Sequence, residues 1–476
     1  MRTYSELYIG GSWVKANSVD VIEVVNPATE EVIATVPSAT GADADAAVAA
    51  ARAAFPGWSQ LTVEARVDYV ERIAEAMVER AEEIASVVSS EQGMPIANAR
   101  RVQAGLPITV IKSYVAIGRE HAAAEPQRIG HSIVVEEPIG VCTFITPWNY
   151  PLHQIIGKVA PALVAGCTMV LKPSSQTPLN AFVLAEIIHD VGLPAGVFNL
   201  VTGPGRSVGE ALCAHPEVDM ISITGSTEAG ARIAELGAPT VKRICQELGG
   251  KSANVILDGA DFAKAVPAGV IGMMLNCGQT CTALTRMIVP RSRQDEVVDL
   301  AVAALSSLAM GDPTSEANFL GPMVSAAQKS TVQDYIRTGI DEGARLVAGG
   351  PDDPTGYDVG FYVQPTIFAD VANSMRIAQE EIFGPVLCIV PVDSEDEAIA
   401  VANDSPYGLS GAVWADTDEH AVMVARRLQT GQVMVNGGRF NPLAPFGGYK
   451  TSGNGRELGR AGLDEFLETK AIQMPA

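Results

Sequence analysis

The sequence predicts an α/β protein with two units, each built on a largely parallel sheet. From residue 141 onward, short runs rich in β-branched residues alternate with helical segments long enough to cross over between parallel strands. The strand candidates are residues 141–146, 168–171, 197–201 and 220–224, and the helix candidates are residues 152–165, 180–191, 207–213 and 227–236. This alternation predicts a doubly wound sheet.

A second alternation begins after Gly249 and Gly250, a flexible pair that suits a hinge between the two units. Its strand candidates are residues 253–257, 287–289, 384–391, 411–414 and 432–435, and its helix candidates are residues 262–276 and 294–310. Residues 349–360 are rich in glycine and proline, which is typical of a surface loop. Before the first sheet, residues 43–54 and 63–90 have the apolar spacing of surface helices.

Composition and charge restrict the partners of this chain. Its 476 residues are 47% hydrophobic and 18% charged, a mixture that excludes a largely disordered chain. A formal net charge of −22 disfavours binding to nucleic acid or to an anionic membrane surface, because an excess of carboxylates repels polyanions. Small molecules are therefore the expected partners.

The N-terminal residues and the cysteines indicate a cytoplasmic protein. The first residues lack a basic segment followed by an apolar run, and no stretch approaches the roughly 20 apolar residues of a membrane span. The seven cysteines are scattered and odd in number, which argues against a disulfide framework. No second Cys/His pair at ligand spacing follows Cys277 and Cys281, so no metal site is predicted.

Three segments carry side chains that suit nucleophilic catalysis. Cys281 follows an apolar helical run in a loop of small residues, where a thiolate can reach a substrate once its pKa of roughly 8.5 is lowered. Glu247 ends an apolar strand directly before two glycines, and a partly desolvated carboxylate is an effective general base. Asn149 lies in a turn between two prolines, where its amide can donate to an oxyanion. Taken singly, each residue also fits a plainer role: packing, a solvated strand end or a turn.

As a set and in this order, the three segments resemble the aldehyde dehydrogenase superfamily. The resemblance covers nearly the whole chain and includes motifs at residues 8–11, 171–174, 223–227, 380–385 and 445–453. It implies a Rossmann-type coenzyme-binding domain, a second α/β catalytic domain and a small β oligomerisation element. The implied ranges are residues 1–119 and 139–249 for the coenzyme domain, 250–451 for the catalytic domain, and 120–138 with 452–476 for the oligomerisation element.

Carried onto this sequence, the resemblance implies that Cys281 attacks an aldehyde while the Asn149 side chain and the Cys281 backbone N–H hold the oxyanion. Glu247 then activates the water that hydrolyses the thioester to an acid. NAD or NADP accepts the hydride. The implied cofactor-binding residues are Ile145, Thr146, Trp148, Lys172, Ser175, Gly205, Gly225, Ser226, Leu248, Glu381 and Phe383. For Ser226 there is separate support, because a helix start offers unpaired N–H donors to a pyrophosphate.

Ser175 departs from the commonest pattern of NAD-using members, many of which carry a glutamate at this position. A carboxylate there would bind the ribose 2′-OH and repel a 2′-phosphate, whereas serine has no charge to do so. The sequence therefore predicts that NADP is accepted as well as NAD.

The resemblance also implies a substrate tunnel and an oligomer. The tunnel residues are His153, Gln154, Gly157 and Phe446, of which Gly157 is small enough to predict a wide entrance. No arginine stands out there, so neutral aldehydes are expected rather than aldehydes bearing a carboxylate. Residues 120–135 and 468–474 are strand candidates, and their family counterparts form an intersubunit sheet. A homodimer or a dimer of dimers, hence a homotetramer, is expected.

Two other functions stay open at this point. A coenzyme-A-acylating semialdehyde dehydrogenase would share the fold and the cysteine, but such relatives usually lack the glutamate found here at Glu247. A non-redox cysteine hydrolase is the second alternative, although the six histidines form no evident Cys-His signature. A catalytically silent structural protein is not expected to keep Cys281, Glu247 and Asn149 together. The hydrolytic dehydrogenase is the predicted function.

Overall fold

The computed structural model describes residues 3–475, and its first large sheet has eight strands. From edge to edge they are Ser12–Val14, Leu7–Ile9, Phe198–Leu200, Thr168–Lys172, Val141–Ile145, Met220–Thr224, Arg243–Glu247 and Gly453–Asn454. The five strands from Phe198–Leu200 to Arg243–Glu247 are parallel, and the outer ones are antiparallel. The predicted doubly wound sheet is confirmed.

The strand order of this sheet reverses at one point. Numbered along the chain, the five parallel strands lie in the spatial order 3-2-1-4-5. Strands 1 and 4, Val141–Ile145 and Met220–Thr224, are therefore neighbours whose connections leave in opposite directions. Because loops diverge there, a crevice opens beyond the carboxyl ends of these two strands, which is where ligands bind in doubly wound sheets.

The second large sheet has seven strands. In spatial order they are Arg345–Ala348, Thr366–Ala369, Val386–Val392, Arg286–Pro290, Ala253–Ile256, Ser410–Trp414 and Gln432–Val435. All neighbours are parallel except for Arg345–Ala348, which runs antiparallel at one edge. The central strands are buried on both faces, which explains why they appear in the sequence as continuous apolar runs.

The remaining strands form three small sheets. Two are two-stranded, namely Val21–Val25 with Val32–Pro37 and Tyr407–Gly408 with Tyr449–Lys450. The third has the antiparallel order Leu467–Gln473, Ser132–Pro138 and Gln127–Ile129. This third sheet contains the strands expected near residues 120–135 and 468–474, except that residues 120–123 still belong to a helix.

The helices pack mainly on the two large sheets. They are Gly41–Ser59, Val63–Glu79, Ala81–Gln92, Ile96–Asn98, Leu106–Ala123, Pro151–Ala165, Leu179–Val191, Glu210–Ala214, Thr227–Gly237, Phe262–Met274, Gln294–Ser306, Ala326–Asp341, Arg376–Gln379, Glu395–Asn403, Asp418–Ala425 and Gly459–Asp464. Two π-helical turns, Ala99–Gly105 and Gly205–Gly209, and three short 3₁₀ turns lie between them. Within residues 3–475, no helix is both long and apolar enough to cross a membrane.

Besides small shifts at element ends, two differences from the sequence-based expectation concern the architecture. The helix predicted over residues 63–90 is two helices that meet at Arg80, where the backbone leaves the helical region and the guanidinium bonds Glu83 and, at 2.6 Å, Glu186. Gly453–Asn454 pairs with Arg243–Glu247 and so extends the first sheet, although the oligomerisation element was expected to begin at residue 452. The expected ranges also include residues 1–2 and 476, which lie outside the described chain.

Candidate active site

Cys281 lies at the junction of two cavities. One has a volume of about 470 Å³ and is mostly apolar. The other has a volume of about 220 Å³ and lies in the crevice at the switch point of the first sheet, the place where its strand order reverses. Among the described residues, Cys281 is the one that lines both. The sulfur is half-buried at the end of the loop that precedes strand Arg286–Pro290. A molecule in either cavity can thus reach the same thiol.

A strained loop presents this cysteine. Asn276, Cys277 and Gly278 adopt left-handed φ values of 55°, 53° and 69° in succession. Such a conformation is costly for residues with a Cβ, and at Gly278 a Cβ would lie 2.1 Å from the carbonyl oxygen of Gly384. The Gln279 side chain holds the loop, because it donates to the Asn276 carbonyl at 3.0 Å and accepts the backbone N–H of Val324 at 2.9 Å.

The Asn149 amide is fixed by buried hydrogen bonds. Its side-chain Nδ2 donates to the Gln279 carbonyl at 3.1 Å, which leaves one N–H of the amide for another acceptor. Its backbone carbonyl accepts from Gln103 Nε2 at 2.9 Å and from Asn276 Nδ2 at 3.1 Å. The turn between the two prolines and the cysteine loop are therefore tied into one unit.

The electrostatics around Cys281 keep its thiol protonated in the free protein. Burial raises the pKa of the thiol, and the carboxylates of Glu381 and Glu247 raise it further. The backbone N–H groups of Cys281 and Thr282 oppose this shift by hydrogen bonding to the sulfur. Activation therefore needs either a base or a positive charge brought beside the sulfur.

Glu247 ends strand Arg243–Glu247 with a buried, unpaired carboxylate. Only 2% of the residue is exposed, and neither carboxylate oxygen has a hydrogen-bond partner within residues 3–475. Burial first, and then the Glu457 carboxylate, raise its pKa well above the ordinary value, while Lys158 and Arg456 oppose the shift. A carboxylate with a raised pKa is a stronger base than an ordinary glutamate, which suits the role predicted for Glu247.

A buried ion pair beside Glu247 was not predicted from the sequence. Lys158 is fully buried within helix Pro151–Ala165, and its ammonium pairs with Glu457, which is 6% exposed. The same ammonium donates to Thr224 Oγ1 at 2.7 Å, and that hydroxyl donates to Gln154 Oε1 at 3.2 Å. A lone lysine in an otherwise apolar helix was the signal available in the sequence.

The smaller cavity contains six of the predicted cofactor residues. Trp148, Gly225, Ser226, Leu248, Glu381 and Phe383 line it. Ser226 caps helix Thr227–Gly237 by accepting the N–H of Ala229 at 3.2 Å. Phe383, held at a φ of 56°, meets the Trp148 ring edge-on at 5.2 Å.

The loop glycines explain how this cavity closes around the cysteine. A Cβ at Gly249 would lie 2.4 Å from Glu381 Oε2, and a Cβ at Gly250 would lie 2.4 Å from the carbonyl oxygen of Cys281. The Gly250 N–H donates to Glu381 Oε1 at 2.9 Å, and burial raises the pKa of Glu381 to about 7. The pair predicted as a hinge thus has a packing role, because it lets Glu381 and Cys281 approach the same strand end.

The remaining predicted cofactor residues form a second group. Lys172 Nζ donates to the Gly203 carbonyl at 3.1 Å, and Ser175 Oγ donates to the same oxygen at 3.1 Å. Thr146 donates its N–H to the Lys172 carbonyl at 3.2 Å, and Ile145 and Lys172 both border Gly209. Gly205 begins the π-helical turn that follows Gly203. Burial lowers the pKa of Lys172 to about 8.

The larger cavity contains three of the four predicted tunnel residues. His153, Gln154 and Phe446 line it, together with Tyr150, whose hydroxyl bonds Thr280 Oγ1 at 2.7 Å. Burial, and then the Lys158 charge, lower the pKa of His153 to about 4, so its ring is neutral.

Gly157 is not among the residues that line this cavity. It is buried, and a Cβ placed on it would lie 3.5 Å from Glu457 Oε2, which is an ordinary van der Waals contact. The segment around residue 457 therefore covers this face of helix Pro151–Ala165. The wide entrance expected at Gly157 stays a prediction.

Arg101 also lines the larger cavity and was missed in the sequence. It is exposed and belongs to the π-helical turn Ala99–Gly105, far from the tunnel helix along the chain. A π turn shifts the phase of a helix, so regular 3.6-residue spacing does not indicate which of its side chains face the cavity.

Comparison with known proteins identifies the family of this chain. A model of the aldehyde dehydrogenase family matches residues 13–472. The chain is 50% identical to the 3-succinoylsemialdehyde-pyridine dehydrogenase of a Pseudomonas species, with 99% of both chains covered. It is 42% identical to the geranial dehydrogenase of Castellaniella defragrans, again with 99% of both covered.

Solved structures show the same similarity. A mutant of aldehyde dehydrogenase C from Pseudomonas syringae, in complex with NAD⁺ and octanal, is 52% identical with a TM-score of 0.97, and the match covers 99% of this chain and 97% of that one. An aldehyde dehydrogenase of Mycobacterium tuberculosis in complex with NAD⁺ is 42% identical with a TM-score of 0.97, covering 99% and 98%. The chain therefore belongs to the aldehyde dehydrogenase family and is an oxidoreductase.

Proposed function

We propose that this protein oxidises an aldehyde to its carboxylic acid with NAD as hydride acceptor, and that Cys281 is the nucleophile. The observation that carries the proposal is the position of the Cys281 thiol, which borders both an apolar cavity and the crevice at the switch point. An aldehyde and a dinucleotide can therefore meet at one sulfur. The relatives crystallised with NAD⁺, one of them also with octanal, support both ligands.

The crevice residues fit a dinucleotide. The start of helix Thr227–Gly237 and the capping residue Ser226 suit a pyrophosphate, while Trp148, Glu381 and Phe383 suit the ribose and ring nearest Cys281. We assign Ile145, Thr146, Lys172, Ser175 and Gly205 to the adenosine side. When bound, the oxidised nicotinamide supplies a positive charge near the thiol and accepts a hydride.

In the first half of the reaction, the Cys281 thiol gives its proton to solvent water and its sulfur bonds to the aldehyde carbon. The carbonyl π electrons move to the oxygen, which becomes an oxyanion. The free N–H of the Asn149 amide and the backbone N–H of Cys281 stabilise that charge, an effect worth about 10²–10³ in rate. Loss of hydride from the same carbon leaves a thioester on the sulfur.

In the second half, Glu247 takes a proton from water while the water oxygen attacks the thioester carbon. The carbon–sulfur bond then breaks, the acid leaves and Cys281 becomes a thiol again after protonation. Glu247 suits this role because its unpaired oxygens are free to bind water and because burial raises its pKa. A buried glutamate at this place also supports hydrolysis over transfer of the acyl group to coenzyme A.

A cysteine hydrolase is disfavoured by the state of the histidine in the same cavity. His153 has a pKa lowered to about 4 and is a weak base, so it is poorly suited to activate the thiol of Cys281.

The domain division and the assembly also belong to this proposal. We assign residues 1–119 and 139–249 to coenzyme binding, 250–451 to catalysis, and 120–138 with 452–476 to oligomerisation, with the first sheet extended by Gly453–Asn454. The exposed three-stranded sheet supports a homodimer or a dimer of dimers. The seven free cysteines support a cytoplasmic location.

The test is direct. The purified protein is mixed with octanal and NAD⁺, and both the reduced nicotinamide and octanoic acid are measured. We expect equal amounts of the two products with wild type and neither with a Cys281→Ala variant of unchanged thermal stability. Failure of wild type to reduce the cofactor with any of a broad panel of aldehydes would refute the proposed function.

A further inference from the structure

The cavity on the aldehyde side of Cys281 has one formally charged lining residue among those described. Most of its lining side chains are aliphatic, aromatic or glycine, and its polar ones are otherwise neutral. His153 is among these neutral groups because burial lowers its pKa to about 4. The exception is Arg101, which brings a guanidinium cation to the wall of the cavity.

Arg101 is held in place by the backbone that supports the oxyanion amide. It belongs to the π-helical turn Ala99–Gly105, and two residues later in that turn Gln103 donates to the backbone carbonyl of Asn149 at 2.9 Å. The charge of Arg101 reaches the site. Burial raises the pKa of the Tyr150 hydroxyl, and the Arg101 cation partly opposes that rise. The hydroxyl of Tyr150 in turn bonds Thr280, the residue before Cys281.

The guanidinium has donors to spare. Nη2 of Arg101 donates a hydrogen bond to Asn98 Oδ1 at 3.3 Å. The guanidinium makes no ion pair with any carboxylate in residues 3–475. The preceding residue is a contrast, because Arg100 is neutralised by Glu82 at 2.8 Å and by Glu316 at 2.5 Å. Arg100 does not line the cavity, so the two neighbours differ in both surroundings and placement.

We propose that Arg101 selects aldehydes that carry a carboxylate at the end of the chain remote from the aldehyde carbon. This inference rests on the proposed function, since the Cys281 sulfur defines the reacting end. The apolar walls receive the carbon chain, and the planar guanidinium can donate two parallel hydrogen bonds to a carboxylate. The inference differs from the sequence-based expectation of neutral aldehydes, which stays a prediction and is the alternative that the experiment below tests.

The overall charge of the protein opposes the approach of an anionic substrate. With a net charge of −22, the protein as a whole repels carboxylates at long range, and a cation at the cavity offsets that field locally. Arg101 is exposed, and the solvent therefore limits the strength of the contact. We expect a selectivity of about twofold to fivefold, the range of an exposed ion pair, which falls as salt shortens the screening length from about 10 Å at 0.1 M to about 3 Å at 1 M.

The experiment compares kcat/KM for alkanals and for ω-carboxyalkanals of equal chain length, with NAD⁺ saturating. Wild type, Arg101→Gln and Arg101→Lys are measured, and Arg100→Gln is the control that removes the same charge one residue away, outside the cavity. We expect Arg101→Gln to lower kcat/KM for the carboxylated aldehydes, through KM, about twofold to fivefold more than it lowers kcat/KM for the alkanals. Arg101→Lys should retain part of the preference, and Arg100→Gln all of it.

The outcomes separate this inference from the proposed function. If wild type oxidises alkanals but Arg101→Gln has the same ratio of kcat/KM for carboxylated aldehydes to kcat/KM for alkanals, the role of Arg101 alone is overturned. An equal loss for both substrate classes, or an equal effect of Arg100→Gln, would also overturn it. Absence of oxidation of either class by wild type would instead refute the proposed function. The inference would be supported if wild type prefers the carboxylated aldehydes, if this preference weakens at 1 M salt, and if Arg101→Gln loses it.

Discussion

Replacing Glu247 with glutamine changes the charge of the proposed base while preserving its shape. Because neither carboxylate oxygen has a partner within residues 3–475, the amide breaks no hydrogen bond that the structure records. We therefore expect the folded state to persist and the first half of the reaction to proceed. Loss of a general base costs about 10²–10⁴ in rate, so steady turnover should fall by that factor while one equivalent of reduced cofactor still forms.

The same variant should change how stability depends on pH. The pKa of Glu247 is raised in the folded protein, so its charged form destabilises the fold. In wild type, the free energy of unfolding begins to fall as the pH rises above about 4.3, the pKa of a glutamate in the unfolded chain. The fall is complete once the pH exceeds the pKa of Glu247 in the folded protein. Glutamine removes this loss, and Glu247→Gln should therefore be more stable than wild type at alkaline pH, by about 1.4 kcal/mol for each tenfold change in proton affinity that folding imposes.

The assays are a stopped-flow burst of reduced nicotinamide and thermal melts at several pH values. The matched control is Glu457→Gln, which removes a carboxylate next to Glu247 but breaks the buried pair with Lys158. Stranding that lysine should cost about 3–5 kcal/mol, in contrast to the stable Glu247 variant. Normal steady turnover by Glu247→Gln would refute the water-activation role, and destabilisation as large as that of the control would show that Glu247 has a partner.

Three further predictions concern the nucleophile, the cofactor and the assembly. Cys281→Ser should abolish aldehyde oxidation. Cys277→Ala should remain active, and its free energy of unfolding in a denaturant titration should fall by about 1–3 kcal/mol, because the Cys277 sulfur donates to the carbonyl of Gly321 and accepts its N–H. An inactive but folded Cys277→Ala would contradict this. Wild type should use NADP as well as NAD, and Ser175→Glu should selectively suppress NADP use in a comparison of kcat/KM, since a carboxylate beside the 2′-phosphate repels it; strict NAD specificity of wild type would refute this role of Ser175. Light scattering at micromolar concentration should give the mass of a dimer or a tetramer, and a monomer would contradict the role of the three-stranded sheet.

Much of the fold could be predicted, and the residues proposed for catalysis could be picked out, because they lie near strand ends marked by glycine and proline. Val141–Ile145 is largely apolar and is followed by the turn with two prolines that contains Asn149, and strand Arg243–Glu247 is followed after Leu248 by two glycines, so Asn149 and Glu247 stood out. The break at Arg80 carries no such mark. It depends on contacts of its guanidinium with residues on two helices, which local spacing does not contain.

The walls of the substrate cavity could not be predicted in the same way. His153 and Gly157 are four residues apart and share a helix face, but only His153 reaches the cavity, because a segment from the far end of the chain covers the next turn. Arg101 faces the same cavity because a π turn changes the helix phase. Both facts depend on packing between distant segments, as does the pair of Lys158 and Glu457, which are 299 residues apart.

That separation of 299 residues has a consequence for how the enzyme matures. During synthesis Lys158 emerges long before Glu457, so an early folding intermediate that had already formed the five parallel strands of the first sheet would hold an ammonium without its counterion. The proton affinity of Glu247, which responds to both groups, is settled only when the late segment docks. Competence for the complete reaction therefore arises when the C-terminal segment docks rather than when the parallel strands form.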